Sequence, residues 1–174
     1  MDIIIIRGAP GSGKSETAKE LANFFPNGAI VEIDNIRKMV ISVDWTNQKE
    51  HINMLHASVN LIIEFIYFKI KPVIVVDTFS GDKISGFLNS IRNFNSNLII
   101  RIFALYVTDN ELKKRLELRS SGKFKNFEIS KNINYDTIKL CYNDECKIDT
   151  SNISAKDTAK TIFENTLSNY GDGR

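Results

Sequence analysis

Cysteine, net charge and uninterrupted apolar length are all scarce in this chain, and each scarcity removes a class of protein. Two cysteines, Cys141 and Cys146, are too few and too oddly spaced for a disulfide framework or a zinc site, so a reducing cytoplasm is the expected setting. The formal net charge of +2 is too near zero to argue for nucleic-acid binding by charge alone, and any polyanion would have to be met by a local basic patch. The apolar stretch from Val59 to Val76 is broken by Glu64, Lys69, Lys71 and Pro72, which argues against a membrane span. No basic segment precedes the short apolar run at the N-terminus, which reads as a first strand and not a signal peptide. No internal repeat and no long linker interrupts the chain. What is present is ordinary for one globular domain over residues 1–174: 43% hydrophobic and 25% charged residues, enough for a single core.

Against that background one stretch stands out. Gly8-Ala9-Pro10-Gly11-Ser12-Gly13-Lys14-Ser15 matches GxxxxGK[ST], and it follows the β-branched run Ile3–Ile6 directly. Four isoleucines with no polar alternation predict a parallel strand covered on both faces. After the motif, Ala18, Leu21, Ala22 and Phe25 fall three or four apart, and Pro26-Asn27-Gly28 ends a predicted helix. Glycines at 8, 11 and 13 permit backbone conformations that bring N–H groups against phosphate oxygens, and the helix N-terminus adds partial positive charge. Lys14 then reaches the outer phosphates of a nucleoside triphosphate, and the Ser15 hydroxyl can ligate Mg²⁺. The nucleotide-binding set expected from this stretch is Gly8, Ala9, Pro10, Gly11, Ser12, Gly13, Lys14, Ser15 and Thr17.

Strand and helix signals then alternate. Ala29–Ile33 reads as a second strand with Asp34 and Arg37 at its C-terminal end, the edge at which open α/β sheets bind ligands. Asp34 there is either the cap of a helix running to about Ile41 or a functional carboxylate. Asn47 with Glu50 forms a capping pair for a long helix carrying Ile52, Leu55, Val59, Ile62, Ile63 and Ile66, stopped by Pro72. His51 and His56 on that helix are five apart, which does not make a shared ligand face, and surface positions are expected. Val73–Val76 is a third strand closing on Asp77, a carboxylate placed either to hold Mg²⁺ or to bond to its own loop. A helix through Phe87, Leu88 and Ile91 leads to a strand over 98–107. Thr108 and Glu111 then box a helix carrying Lys113, Lys114, Arg115 and Arg119. Arg115 and Arg119, four apart, would share a face: a solvated basic face or the arginines of a closing lid over about 112–130. Residues 124–144 are hard to read, with a helix expected over 132–142. Cys146–Asp149 is a last strand, and Ser154 with Asp157 opens a final helix bearing Ala155, Ala159, Ile162, Phe163 and Leu167. Five alternations predict a three-layer α/β/α fold with a five-stranded parallel sheet, a P-loop NTPase architecture with a short lid.

In a single short domain, one arginine-bearing lid suffices for phosphoryl transfer to a small acceptor, with Arg115 and Arg119 on the transferring group and Asp34 as the base for a hydroxyl proton. The Gly8–Ser15 loop, Asp34-x-x-Arg37, the strand ending in Asp77-Thr78, and Arg115-x-x-x-Arg119 together resemble the small P-loop kinases grouped around the polynucleotide 5′-hydroxyl kinases. Chloramphenicol phosphotransferase, zeta-type toxin kinases and AAA-type kinases have similar organisation. The resemblance implies Asp34 as general base, Arg37 as a contact to the acceptor, and Asp77 as an orienting or metal-holding carboxylate. It also implies Arg115 and Arg119 as lid contacts to ATP, and Thr150, Ser151 and Asn152 near the adenine. The catalytic set so implied is Lys14, Asp34, Arg37, Arg115 and Arg119, with Ser15 and Asp77 for the metal. The cofactors are ATP and Mg²⁺. No second, phosphatase-like domain follows, and no basic groove is evident beyond Lys123, Lys125 and Lys131.

The expected activity is transfer of the γ-phosphate to a hydroxyl of a polynucleotide end or a small metabolite. A nucleoside monophosphate or shikimate-type kinase is one alternative. A nucleotide-dependent binding module without transfer is another. The chain reads as a monomer, or as a homodimer through the apolar helix from Ile52 to Ile70.

Overall fold

A computed structural model describes residues 1–142 and 145–168. Its centre is a five-stranded, wholly parallel sheet of β1 (Ile3–Gly8), β2 (Ala29–Glu32), β3 (Val73–Val76), β4 (Ile100–Tyr106) and β5 (Cys146–Asp149), in the order β2-β3-β1-β4-β5. The order reverses at β1, the strand that feeds the glycine loop. In doubly wound sheets such a reversal opens a crevice at the carboxyl edge.

The isoleucine run of β1 is apolar throughout because both of its faces are covered. Ile3 and Ile5 enter one core, with Leu55, Val59 and Ile62 of α3 (Gln48–Tyr67) and Ile84, Phe87, Leu88 and Ile91 of α4 (Lys83–Phe94). Ile4 and Ile6 enter the other, with Ala18 and Leu21 of α1 (Lys14–Ala22) and Ala159 and Ile162 of α7 (Ala155–Ser168). All four isoleucines are fully buried, each worth about 1.5–3 kcal/mol. Phe163 of α7 stacks on Phe24 with ring centroids 4.6 Å apart and seals α1 against α7. A third small cluster, Val107, Leu112 and Leu116 with Phe127 against it, joins α5 (Asp109–Leu118) to α6 (Phe127–Lys139).

Four expected details change. The first helix stops at Ala22, and the second strand yields to the short helix α2 (Ile33–Arg37) one residue earlier than expected, with Glu32 and not Asp34 at the cap position. The helix expected over 132–142 begins at Phe127, because the Asn126 side chain accepts the Ile129 N–H at 3.0 Å and so starts the turn there. It ends at Lys139, three residues before Tyr142. The last two residues of the 124–144 segment, and 169–174 of the expected domain, lie outside the described residues. No described helix is long and apolar enough to cross a membrane.

Candidate active site

The glycine loop turns immediately beyond β1. Gly8, Gly11 and Gly13 have φ of 146°, 94° and 94°, and space as well as conformation demands glycine at two of them. A Cβ at Gly8 would lie 2.2 Å from the Leu105 carbonyl oxygen, and one at Gly11 would lie 2.9 Å from Leu112 Cδ1. The loop is thus pressed between β4 and α5.

Several of its amides are left without a backbone partner. The Ser12 N–H is donated to the Ala9 carbonyl at 3.1 Å and the Thr17 N–H to the Gly13 carbonyl at 2.9 Å, whereas the amides of Gly11, Gly13, Lys14 and Ser15 have no backbone acceptor among the described residues. These four donors, around the start of α1, make a ready anion cradle. The Lys14 ammonium, bonded to the Ala9 carbonyl at 2.9 Å, is crowded away from water, which lowers its pKa to about 8 against the opposing charges of Asp77 and Asp34. A triphosphate tail supplies the negative charge this arrangement lacks. Ser15 lies in the first turn of α1. Thr17 is buried at 1% exposure.

Facing the loop, the ends of β2 and β3 bring a second group together. Asp34 is exposed on α2, yet protein atoms around its carboxyl and the charge of Asp77 raise its pKa above the ordinary Asp value, with Lys14 and Arg37 opposing. Arg37 is 5% exposed. Its guanidinium lies 4.6 Å from the Trp45 ring centre, donates to the Asp44 carbonyl at 3.1 Å and comes within 3.8 Å of Glu50. Its Nε and the Glu50 Oε1 are buried without a hydrogen-bond partner among the described residues. A buried guanidinium with a free donor is what an anionic acceptor group would meet.

Asp77 is buried and takes the Phe79 N–H at 2.8 Å, and its Oδ1 lies 3.1 Å from His51 Nε2. Burial alone would raise its pKa, but the His51 and Phe79 hydrogen bonds and the Lys14 charge outweigh it and hold the carboxyl below the ordinary Asp value. His51 is therefore not at the surface as its helix spacing suggests, although His56 is exposed. On its other side Lys83 Nζ lies 3.2 Å from His51 Nδ1. Sequence reasoning missed both His51 and Lys83. Beyond Lys83, a groove of ≈ 340 Å³ floored by Leu55, Val59 and Phe87 runs between α3 and α4.

The two lid arginines do not share a face. Helix α5 ends at Leu118, and Arg119 follows it with extended backbone, donating to the Phe124 carbonyl at 2.8 Å. Its guanidinium lies within electrostatic reach of Asp34 and Lys14. Arg115 instead turns inward, to Glu111 at 2.9 Å and Thr150 Oγ1 at 3.1 Å. The Thr150 hydroxyl in turn donates to the Ser12 carbonyl at 3.0 Å, so Arg115 braces the glycine loop from behind β5. The Thr108 side chain makes no capping bond, and the Thr108 N–H is given to Ser151 Oγ.

One buried group lies apart from these. Arg7, just before the loop, pairs with Glu145 through two bonds of 2.6 and 2.9 Å and covers the Tyr142 ring, whose hydroxyl donates to the Gly81 carbonyl at 2.9 Å.

Comparison with known proteins agrees with this architecture. None of the curated proteins matches the chain. Among solved structures it is similar to the tunicamycin resistance protein of Deinococcus radiodurans (TM-score 0.68, 20% identity, 95% of each chain). It is similar also to a shikimate kinase from Acinetobacter baumannii in complex with shikimate (TM-score 0.63, 18% identity, 97% of this chain and 94% of that one). A gluconokinase from Sinorhizobium meliloti has the same fold (TM-score 0.62, 18% identity, 97% of each chain). The P-loop organisation read from the sequence is therefore the one the protein has. A family model described as an AAA domain matches residues 4–148, and the chain belongs to that family.

Proposed function

We propose that this protein is an ATP-dependent kinase that transfers the γ-phosphate to a hydroxyl of a small anionic metabolite or of a nucleic-acid 5′ end. The observation that carries the reading is the meeting of two groups at one sheet edge: the unpaired amides of Gly11, Gly13, Lys14 and Ser15 with the Lys14 ammonium, and the Asp34 carboxyl, its pKa raised, beside buried Arg37. The loop binds and orients the phosphates. The Arg37 guanidinium draws the acceptor's negative group, which places the acceptor hydroxyl beside Asp34. Asp34 takes the hydroxyl proton as the oxygen attacks. Ser15 and Asp77 would hold Mg²⁺, which when bound neutralises charge between the β- and γ-phosphates. Arg119 follows α5 and stands beside Lys14 and Asp34, where closure of a lid over about 112–130 would bring it onto the transferring group.

The named kinases of similar fold act, by their titles, on shikimate and gluconate, and a compact carboxylated polyol suits a site whose acceptor side carries one buried arginine. The test is transfer from γ-labelled ATP to 5′-hydroxyl oligonucleotides, nucleosides and small hydroxy acids. Labelled product from one class identifies the acceptor. Hydrolysis without product from any class rejects transfer in favour of a nucleotide-dependent binding module.

A further inference from the structure

We propose that Lys83 and His51 form a relay that aims Asp77: Lys83 fixes the imidazole proton on Nε2, and that N–H orients the carboxylate. The proposal deepens the kinase reading, and rests on it, in taking Asp77 as part of the phosphoryl site.

An ammonium has three donors and no acceptor. Three acceptors surround Lys83 Nζ: Gln48 Oε1 at 2.6 Å, His51 Nδ1 at 3.2 Å and Ser80 Oγ at 3.2 Å. A ring nitrogen facing that ammonium accepts, so the imidazole proton lies on Nε2. Nε2 is 3.1 Å from Asp77 Oδ1 and donates to it, while the Phe79 N–H is donated to Oδ2 at 2.8 Å. Each carboxylate oxygen thus has its own donor, one from a helix and one from the loop, and the plane of the group is set. At 7% and 5% exposure, His51 and Asp77 are too buried for water to replace either bond.

The loop shows what this orientation costs. Phe79 has φ of 46°, a left-handed conformation that strains a residue other than glycine. The bond to Asp77 and the packing of its ring against Phe87, centroids 5.1 Å apart, hold it there. Partners that orient a ligating carboxylate from behind typically change activity about 10–100-fold when removed.

The chain has two histidines, His51 and His56, so nitrogen-15 ring spectra of the nucleotide-free protein resolve the relay directly, with His56→Asn for assignment. The expected result is a His51 ring protonated on Nε2 alone, and loss of that single form in Lys83→Met. A proton on Nδ1 in the wild type, or spectra that Lys83→Met leaves unchanged, overturns the proposal. In ATP turnover, His51→Leu is expected to lower kcat about 10–100-fold. His51→Gln, whose amide can donate from the position of Nε2, recovers most of that loss. Magnesium-free ADP binding stays at the wild-type value in both variants. Equal losses in the two variants, or loss of ADP binding, assigns His51 a merely structural role and overturns the relay. If His51→Leu does not fold, His51→Gln against Lys83→Met makes the same comparison. A wild-type protein without any ATP turnover sinks the kinase reading instead, and the ring spectra then decide the relay by themselves.

Discussion

The two sides of the active-site cleft are built in opposite ways. The proposed nucleotide side is made of the backbone amides of Gly11, Gly13, Lys14 and Ser15, so its geometry follows from one loop and one helix start. The proposed acceptor side is made of side chains from α2 and the β3–α4 loop held by partners on other elements: Asp77 by His51, and Arg37 by Trp45 and Glu50. Backbone cradles bind any polyphosphate. Side-chain clusters choose what receives the phosphate, and they can be altered one residue at a time.

The largest expected effect separates the two sides outright. Asp34→Asn should lower transfer by about 10²–10⁴-fold while calorimetry shows ATP affinity unchanged. An equal loss of affinity would mean that the carboxylate serves the nucleotide and that the division fails. Lys14→Met works from the other side, costing about 10²–10³-fold in turnover through the lost charge on the phosphates and leaving acceptor binding intact.

A smaller effect comes from pH. The Lys14 pKa of about 8 in the free protein rises when phosphate arrives, because the charged form is favoured beside an anion. Nucleotide affinity should therefore be level below pH 8 and fall by about tenfold per pH unit above it, with proton uptake on binding near pH 8–9 visible as a buffer-dependent heat. The same titration of acceptor binding should show no such fall. Smallest is Trp45→Ala, which removes a ring from a buried guanidinium and should weaken acceptor binding by about 0.5–2 kcal/mol without touching nucleotide affinity.

The contrast also explains what could be read from the chain in advance. The glycine loop and the strands around it were legible because their determinants are contiguous: a β-branched run, three glycines, a lysine and a helical period. Asp34, Arg37 and Asp77 were legible as positions, since strand ends at the carboxyl edge of a sheet are where sites form. Their partners were not. His51 sits in the first turn of a helix whose stripe pattern places it outside the core, and only the fold brings Asp77, 26 residues on, against its ring. Arg119 looks helical by spacing from Arg115, but α5 ends at Leu118 and the two side chains part, one to Thr150 and one to the Phe124 carbonyl. Arg7 shows the same limit in the core: a charge in an apolar strand signals a buried partner, yet nothing local names Glu145.

Trp45 is the chain's single tryptophan, and it lies face to face with the Arg37 guanidinium. The protein therefore carries a built-in optical gauge at the place proposed to receive the acceptor. An anion arriving at Arg37 redraws the electric field across the indole and shifts its emission. Unlabelled candidate metabolites can then be ranked by tryptophan fluorescence alone, before any radioactive assay is set up.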